Sequence, residues 1–318
     1  MFPYAPIRIA ADFKWPVAVA GYRVVEVLIP KWRRSENGYA LDWDFHGEKT
    51  EIIGRRHGDR LLVSDPSKDY IDRNPLEDAA LFMNVAAMEC SEDAVLGFTR
   101  RYGLLDADGM CSHVRFGYTY DAEADPDERA ERFGQSLETW YATIRQLKLA
   151  VDLWDASKLP TDDDACRTLR RLELAEIPEV HGRDPFSVAH AAYFGPGNVR
   201  IAFTREDARK AVQALVLAEF DGEVTWSFGR ALPHNRDVLE LTPESLRSGL
   251  WLQFAAALAA ESQFKTCEYC GHFYDGSTAR KSKKYCSDSC KSANWNRDHP
   301  SKVREAQQRR GRRRNGAV

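Results

Sequence analysis

The chain has 318 residues, of which 43% are hydrophobic and 29% charged, a composition that supports one large domain with a small appendage. No apolar run reaches the roughly 18 residues that a membrane-spanning helix requires, so we expect no membrane partner. The N-terminal sequence has neither the basic start nor the apolar run of a secretory signal, which predicts a reducing, cytoplasmic location.

Residues 1 to about 70 are predicted to be rich in β-strands. The strongest strand pattern covers residues 22–29, where apolar and β-branched residues cluster. Shorter candidates, separated by polar turns, lie at residues 39–43, 50–53 and 61–64.

Helices are predicted to dominate the middle of the chain. Residues 76–88 and 94–102 have helical apolar spacing, and Gly103 is placed to end the second helix. A long helix is expected to follow from Asp125, its N-cap, to Trp154, because apolar residues recur at every third or fourth position.

The part of the chain before the C-terminal cysteines, called the body here, ends in a mixed pattern of strands and helices. Asp162, Asp163 and Asp164 stand at the start of a further helix, where carboxylates cap free amides, and this favours capping over a metal site. Strands are predicted at residues 198–203, 223–228 and 238–241, and a helix at 206–220.

One more helix is predicted before the C-terminal region, with Thr242 as its N-cap and Pro243 in its first turn. Its buried side is expected to consist of Leu246, Leu250, Phe254 and Leu258. Only about six residues join this helix to the next motif, so we expect that motif to be held against the body. The fold class predicted for the whole chain is α+β.

Four cysteines near the C-terminus have the spacing of a zinc site. Cys267 and Cys270 form a C-x2-C pair, and Cys286 and Cys290 form a C-x3-C pair fifteen residues later. Four thiolates fill the tetrahedral coordination of one zinc ion, which predicts a structural ion and not a catalytic one. The alternatives are a disulfide or a redox pair, and His272 or His299 as a substitute ligand.

The residues around the cysteines predict a knuckle, a hairpin and a helix, the arrangement of a treble clef. Phe273 and Tyr274 alternate like a strand, Asp275 and Gly276 form a turn, and residues 281–285 are expected to return as the second strand. Ser287 then has the position of an N-cap, so Cys286 and Cys290 would flank the first turn of a helix.

The net charge of -3 conceals an asymmetry between the two ends of the chain. Residues 265–318 contain 14 Lys and Arg against 5 Asp and Glu, a net charge of +9, whereas residues 1–264 contain 31 against 43, a net charge of -12. A basic segment beside a zinc module is typical of nucleic-acid-binding proteins, because Lys and Arg displace counterions from phosphates. The alternative is a solvated basic tail that only aids solubility.

The segments 250–254, 264–271 and 285–290 resemble the bacterial CGNR-type zinc-finger proteins, although Lys-Ser-Ala-Asn294 follows Cys290 where that family has its Gly-Asn-Arg. The resemblance implies an α+β domain of the ABATE kind over residues 1–262, a treble-clef finger over 263–298 and a basic tail over 299–318. It also implies a transcription regulator. Residues 285–295 are similar to the end of MYND fingers, which bind proteins.

These observations predict a zinc-dependent DNA-binding regulator whose acidic body senses a signal or forms a homodimer. The candidate phosphate contacts are Lys281, Lys283, Lys284, Lys291, Arg297, Lys302 and Arg304, and the candidate base contact is Asn294. An RNA-binding protein and a protein-interaction adaptor with a MYND-like finger are the alternatives. No catalytic motif is recognisable, so we expect no enzyme.

Overall fold

The computed structural model describes residues 7–9, 13–19, 21–26, 39–43, 49–56, 58–64, 70–106, 135–165, 204–219, 224–231, 236–277, 282–305 and 308. Its strands are β1 (Ile7–Ile9), β2 (Trp15–Ala18), β3 (Tyr22–Glu26), β4 (Tyr39–Trp43), β5 (Lys49–Arg56), β6 (Arg60–Ser64), β7 (Tyr70–Arg73), β8 (Gln135–Ser136), β9 (Val224–Ala231), β10 (Arg236–Pro243), β11 (Phe264–Thr266) and β12 (Phe273–Asp275). Its helices are α1 (Leu81–Ala86), α2 (Glu92–Tyr102), α3 (Leu137–Ser157), α4 (Arg205–Glu219), α5 (Leu246–Ala259) and α6 (Asp288–Asp298). The predicted α+β class is confirmed.

The strands near the N-terminus form two small antiparallel sheets and a separate hairpin. β2 pairs with β7, and β3 pairs with β6, which also carries the short β8 on its other edge. β4 and β5 form the hairpin, and β4 has the predicted bounds. β10 lies between β1, to which it is parallel, and β9, to which it is antiparallel. The strand predicted at 198–203 lies outside the described residues.

The first predicted helix is divided into two pieces. A 3-10 turn at Pro75–Glu77 is capped by the Asn74 side chain, Asp78 is extended, and α1 begins only at Leu81. The extended backbone at Asp78 therefore interrupts the helix that the apolar spacing predicted over residues 76–88. Gly103 ends α2 as predicted, with a φ of 89° and its amide bonded to the Thr99 carbonyl.

The long helix α3 begins later than predicted. Gln135 and Ser136 pair with β6, and the Ser136 hydroxyl accepts the Glu138 amide as the N-cap. Tertiary pairing therefore takes these two residues out of the helix that the spacing extended back to Asp125, a residue outside the described part of the chain. The C-terminal half of the prediction, as far as Trp154, is confirmed.

Two other helix starts differ from the predicted caps. Thr161, and not an aspartate, caps the helical residues 162–165, whereas the Asp162 carboxylate accepts hydrogen bonds from the backbone and side chain of Arg205 at the start of α4. The end of β10 includes Thr242 and Pro243, so α5 begins at Leu246. Its cap is Ser245, which exchanges hydrogen bonds with Ser248.

The core lies between the N-terminal strands and the helices. α1 packs against α3 and α5, and α4 packs against both of these longer helices. The largest fully buried side chains include Trp140, Trp251, Phe82 and Phe254.

Within the residues described here, no helix is long and apolar enough to cross a membrane.

Candidate metal centre

The first cysteine pair lies in the loop that joins β11 to β12. The two strands are antiparallel, with Phe264 opposite Asp275 and Thr266 opposite Phe273. The strand that pairs with Phe273–Asp275 is therefore Phe264–Thr266, and the prediction that residues 281–285 return as its partner is wrong. Residues 282–285 are not in a strand. The turn that contains the C-x2-C pair is therefore the loop of the hairpin formed by β11 and β12.

Backbone hydrogen bonds hold the knuckle in a tight turn. The Cys267 amide donates to the His272 carbonyl at 2.9 Å, and the Gly271 amide donates to the Cys267 carbonyl at 3.0 Å. Gly271 has a φ of 74°, which a residue with a Cβ adopts only at a cost. Glycine therefore permits the reversal that brings Cys267 and Cys270 to the same point.

The second cysteine pair flanks the start of α6. Ser287 is the N-cap, and its hydroxyl accepts the Cys290 amide at 3.2 Å. This confirms the predicted cap and places Cys286 just before the helix and Cys290 in its first turn. The Glu268 amide also donates to the Lys284 carbonyl at 3.0 Å, which ties the knuckle to the segment that carries Cys286.

The four sulfur atoms form a cluster that could hold a metal ion. All four lie within 4.8 Å of one another, with Cys270 and Cys286 3.7 Å apart and Cys286 and Cys290 3.4 Å apart. A tetrahedral ion with sulfur ligands at about 2.3 Å requires sulfur separations of about 3.8 Å, whereas a disulfide requires about 2.05 Å. The sulfur separations are closer to those of a metal tetrahedron than to the length of a disulfide bond, and these cysteines are free of disulfides.

Cys267, Cys270 and Cys286 differ in the pKa of their thiols. Burial raises the pKa of Cys267, but the backbone amides of Cys270, Cys286 and Tyr269 outweigh it and lower that pKa to about 6. Burial and the neighbouring thiols raise the pKa of Cys286 to about 12, and burial also raises that of Cys270. A bound dication would supply the positive charge that several adjacent thiolates need.

Neither of the two histidines considered as substitute ligands belongs to the sulfur cluster. The carbonyl of His272 accepts the Cys267 amide, and the ring of His299 stacks on Trp295 at 4.8 Å between centroids. In the described part of the chain, the one group of side chains that could hold a metal consists of the four cysteines alone. Cys90, by contrast, is exposed and lies apart from the cluster.

The segment that carries the four cysteines, residues 264–298, is called the metal module here, and it packs on the helical body through an aromatic cluster. The ring of Phe264, the first residue of β11, lies 5.3 Å from that of Phe82 in α1 and 6.1 Å from that of Trp154 in α3. Phe254 completes the cluster, 5.2 Å from Phe82 and 5.6 Å from Trp154. The expectation that the short joint holds this module against the body is confirmed.

A side chain of the body also bonds to the module. Asn84 in α1 makes two hydrogen bonds to the backbone of Phe273. The sequence shows no sign of this role for Asn84, because a polar residue on a short helix usually contacts water. Phe264 could have been noticed, since it is an aromatic residue in the short joint where solvated residues are expected.

The joint between α5 and β11 is itself ordered by backbone hydrogen bonds. The Ser262 amide donates to the Ala257 carbonyl and the Glu261 amide to the Leu258 carbonyl, which is the pattern of a Schellman motif. Glu261 has a φ of 48° and occupies the left-handed position where glycine is usual. The chain therefore leaves the helix in a fixed direction.

Most of the predicted phosphate contacts are exposed around the metal cluster. Of the predicted contacts, those that are described and exposed are Lys283, Lys284, Lys291, Arg297, Lys302 and Arg304. Lys281 lies outside the described residues. Lys284 pairs with Glu268 at 3.0 Å and Arg297 with Asp298 at 3.5 Å, both pairs in solvent where they are easily exchanged.

Asn294, the predicted base contact, is engaged within α6. Its Oδ1 accepts a hydrogen bond from Arg297, and its Nδ2 donates to Asp298 at 2.8 Å. Contact with an adenine edge would require the side chain to exchange these bonds.

Among known proteins, no family model, no curated protein and no solved structure matches this chain.

Proposed function

We propose that Cys267, Cys270, Cys286 and Cys290 bind one structural zinc ion and that the module is a treble-clef finger related to the CGNR type. The sulfur separations support the metal, since they approach those of a zinc tetrahedron. A knuckle at the end of a hairpin and a second pair at a helix N-terminus support the treble clef. Four thiolates leave no position for an activated water, so the ion stabilises the fold.

We infer that this module binds nucleic acid and that the protein is a cytoplasmic DNA-binding transcription regulator. The observation that carries the inference is the band of exposed cations, from Lys283 to Arg304, on the same small module as the sulfur cluster. The sequence adds five arginines between residues 309 and 314. The body has the opposite net charge, which favours contact with phosphates through the module alone.

The role of zinc in this proposal is to order the cationic surface. A module of this size has too small a core to fold by itself, and metal binding can contribute on the order of 10 kcal/mol. The helix α6 carries Lys291 and Arg297, and its first turn includes the ligand Cys290. Loss of the ion would therefore unfold the module, and the Lys and Arg side chains would no longer be held in positions that contact phosphates.

Fluorescence anisotropy with duplex DNA, single-stranded DNA and RNA at about 50 and 200 mM salt tests the proposal. If about five cations contact phosphates, the fourfold increase in salt should weaken binding several hundred-fold. Replacement of Lys283, Lys284 and Lys302 by Gln should reduce the salt dependence, whereas Lys148→Gln on the body should not. Absence of salt-sensitive binding to all three would overturn the proposal and favour a protein-interaction adaptor.

A second experiment tests the regulatory part of the proposal. Genomic fragments of the source organism, selected by the zinc-loaded protein, should converge on a common sequence if the protein is a regulator. Selection of fragments without any shared sequence would contradict that role. Zinc-free protein prepared with a chelator serves as the control, because it retains the same Lys and Arg residues without the ordered module.

A further inference from the structure

We propose that the exposed face of α6 around Trp295 binds an unpaired base of a single-stranded nucleic acid. This inference rests on the nucleic-acid binding proposed above and is independent of the regulatory role, since it names the class of nucleic acid that the cationic module prefers. The indole of Trp295 is 47% exposed, on a helix that has no buried residue. A large aromatic side chain in solvent beside cations is the feature that single-strand-binding proteins use for base stacking.

The geometry around Trp295 is suited to stacking. The imidazole of His299 is nearly parallel to the indole, with 13° between the planes and 4.8 Å between the centroids. The His299 Nδ1 is also 3.0 Å from the Trp295 carbonyl, which fixes the imidazole one turn farther along the chain. A base on the other face of the indole would extend this stack to three rings.

An open groove of about 630 Å³ provides space for the base beside the indole. Its lining includes Trp295 and His299 together with Tyr285, Lys291 and Asn294. These side chains combine aromatic surface with hydrogen-bonding groups, which suits the face and edge of a base. Lys291 lies four residues before Trp295, on the same side of the helix, where its ammonium can reach the phosphate of the bound nucleotide.

Two carboxylates in the lining of the groove favour a base over a phosphate group as its occupant. Asp288 and Asp298 both line the groove and would repel a phosphate placed inside. A carboxylate can instead accept a hydrogen bond from the amino group of a base. The phosphates would then follow the cations outside the groove, among them Lys283, Lys284 and Lys302.

A base inside a duplex cannot reach this groove while it remains stacked and paired. The proposal therefore predicts that the protein binds single strands more tightly than a duplex of the same sequence. It applies to unpaired bases of DNA and of RNA, because both present the same aromatic faces. A difference between the two would report on contacts with the ribose 2′-hydroxyl.

The test is anisotropy of labelled strands of about 12 nucleotides, as DNA, as RNA and as the DNA duplex, with zinc-loaded full-length protein. Trp295→Ala should weaken single-strand binding by about 5- to 150-fold, the range given by loss of one stacked base, and leave duplex binding unchanged. Trp295→Phe should retain most of the affinity. Trp226→Ala on β9 is the matched control, because Trp226 is also exposed, at 69%. Metal content and the unfolding midpoint of each variant show whether it is folded.

The possible outcomes separate the two proposals. A preference for single strands that is lost in Trp295→Ala supports the groove as a base site. Equal binding of single strands and duplex, unaffected by Trp295→Ala, overturns this inference and leaves the nucleic-acid proposal standing. Absence of salt-sensitive binding to every probe overturns both.

Discussion

Asn84 in α1 and Phe273 in β12 are joined by two hydrogen bonds that fasten the metal module to the body. The Phe273 amide donates to Asn84 Oδ1 at 2.7 Å, and Asn84 Nδ2 donates to the Phe273 carbonyl at 3.4 Å. β12 pairs with β11 along its other edge. The amide side chain therefore satisfies backbone groups that a neighbouring strand would otherwise bond.

Replacement of Asn84 by Ala should loosen this attachment without releasing the metal. The partly buried Phe273 amide would lose its partner, which costs less than the roughly 1–3 kcal/mol of a fully buried donor because water can reach it. Hydrogen exchange in residues 264–275 should become faster, while metal content stays the same. Asn296→Ala, at an exposed position of α6, is the control. Unchanged exchange in the Asn84 variant would show that the aromatic contacts alone hold the module.

Replacement of Cys267 by Ser should abolish stoichiometric metal binding, and a strong chelator should have the same effect on the unaltered protein. The sulfur cluster would lose its buried ligand, and the module would unfold because the ion contributes on the order of 10 kcal/mol. Elemental analysis and far-ultraviolet circular dichroism measure the two effects.

The helices of the body should remain after metal loss, with a lowered unfolding midpoint because Phe264 leaves the aromatic cluster. Cys90→Ser is the control for a thiol outside the cluster and should bind metal normally. Full metal content in Cys267→Ser would contradict the four-thiolate site.

Replacement of Glu261 by Gly should stabilise the protein. The residue has a left-handed backbone in a Schellman motif, which costs a side chain about 1–2 kcal/mol, and the added freedom of glycine in the unfolded chain offsets part of this gain. The net increase in the free energy of unfolding should be about 0.5–1 kcal/mol in urea titrations.

The neighbouring Ala260→Gly provides a control of opposite sign. Ala260 has a right-handed helical backbone, with a φ of -87°, so glycine only adds unfolded-state entropy there and should destabilise. A loss of stability in both variants would mean that the backbone at Glu261 is not strained.

Replacement of Asp106 by Ala should destabilise the body by about 2–3 kcal/mol, because it leaves the Arg247 guanidinium largely buried without its carboxylate. Arg247 is ion-paired with Asp106, and their side chains are 14% and 21% exposed. Gln135 also donates to Asp106, at 3.1 Å, so the substitution disturbs the strand that precedes α3.

Thermal and urea unfolding measure this loss, with Asp162→Ala as the comparison. The Asp162 to Arg205 pair is solvent-exposed and should contribute much less. Equal losses in the two variants would contradict the role of burial in strengthening the Asp106 pair.

The local features of the metal centre were predictable from the sequence, and its long-range partners were not. Cysteine spacing, the Ser287 cap and the start of α6 depend on residues close in the chain. The partner of β12 depended on which neighbouring segment pairs with it, and both 264–266 and 281–285 were compatible with a short strand. The two loops, residues 267–272 and 276–280, are of similar length, so the cost of loop closure does not distinguish the two pairings.

The same distinction explains the errors in the body. The apolar stripe of α3 was correct as far as Trp154, but its start was set by the pairing of Gln135 and Ser136 with β6, which local spacing does not report. Asn84 gave no signal at all, because its function exists only when Phe273, 189 positions away, is folded beside it.

The position of Phe264 has a consequence for how separable the two parts of the protein are. Its ring belongs by sequence to the hairpin that carries Cys267 and Cys270, yet it packs against Phe82 and Trp154 in the body. A fragment that ends at residue 262 would keep the helices of the body but would lack the Phe264 ring that packs against its core. The metal module therefore contributes to the core of the body, and its transplantation onto an unrelated host would leave both parts incomplete.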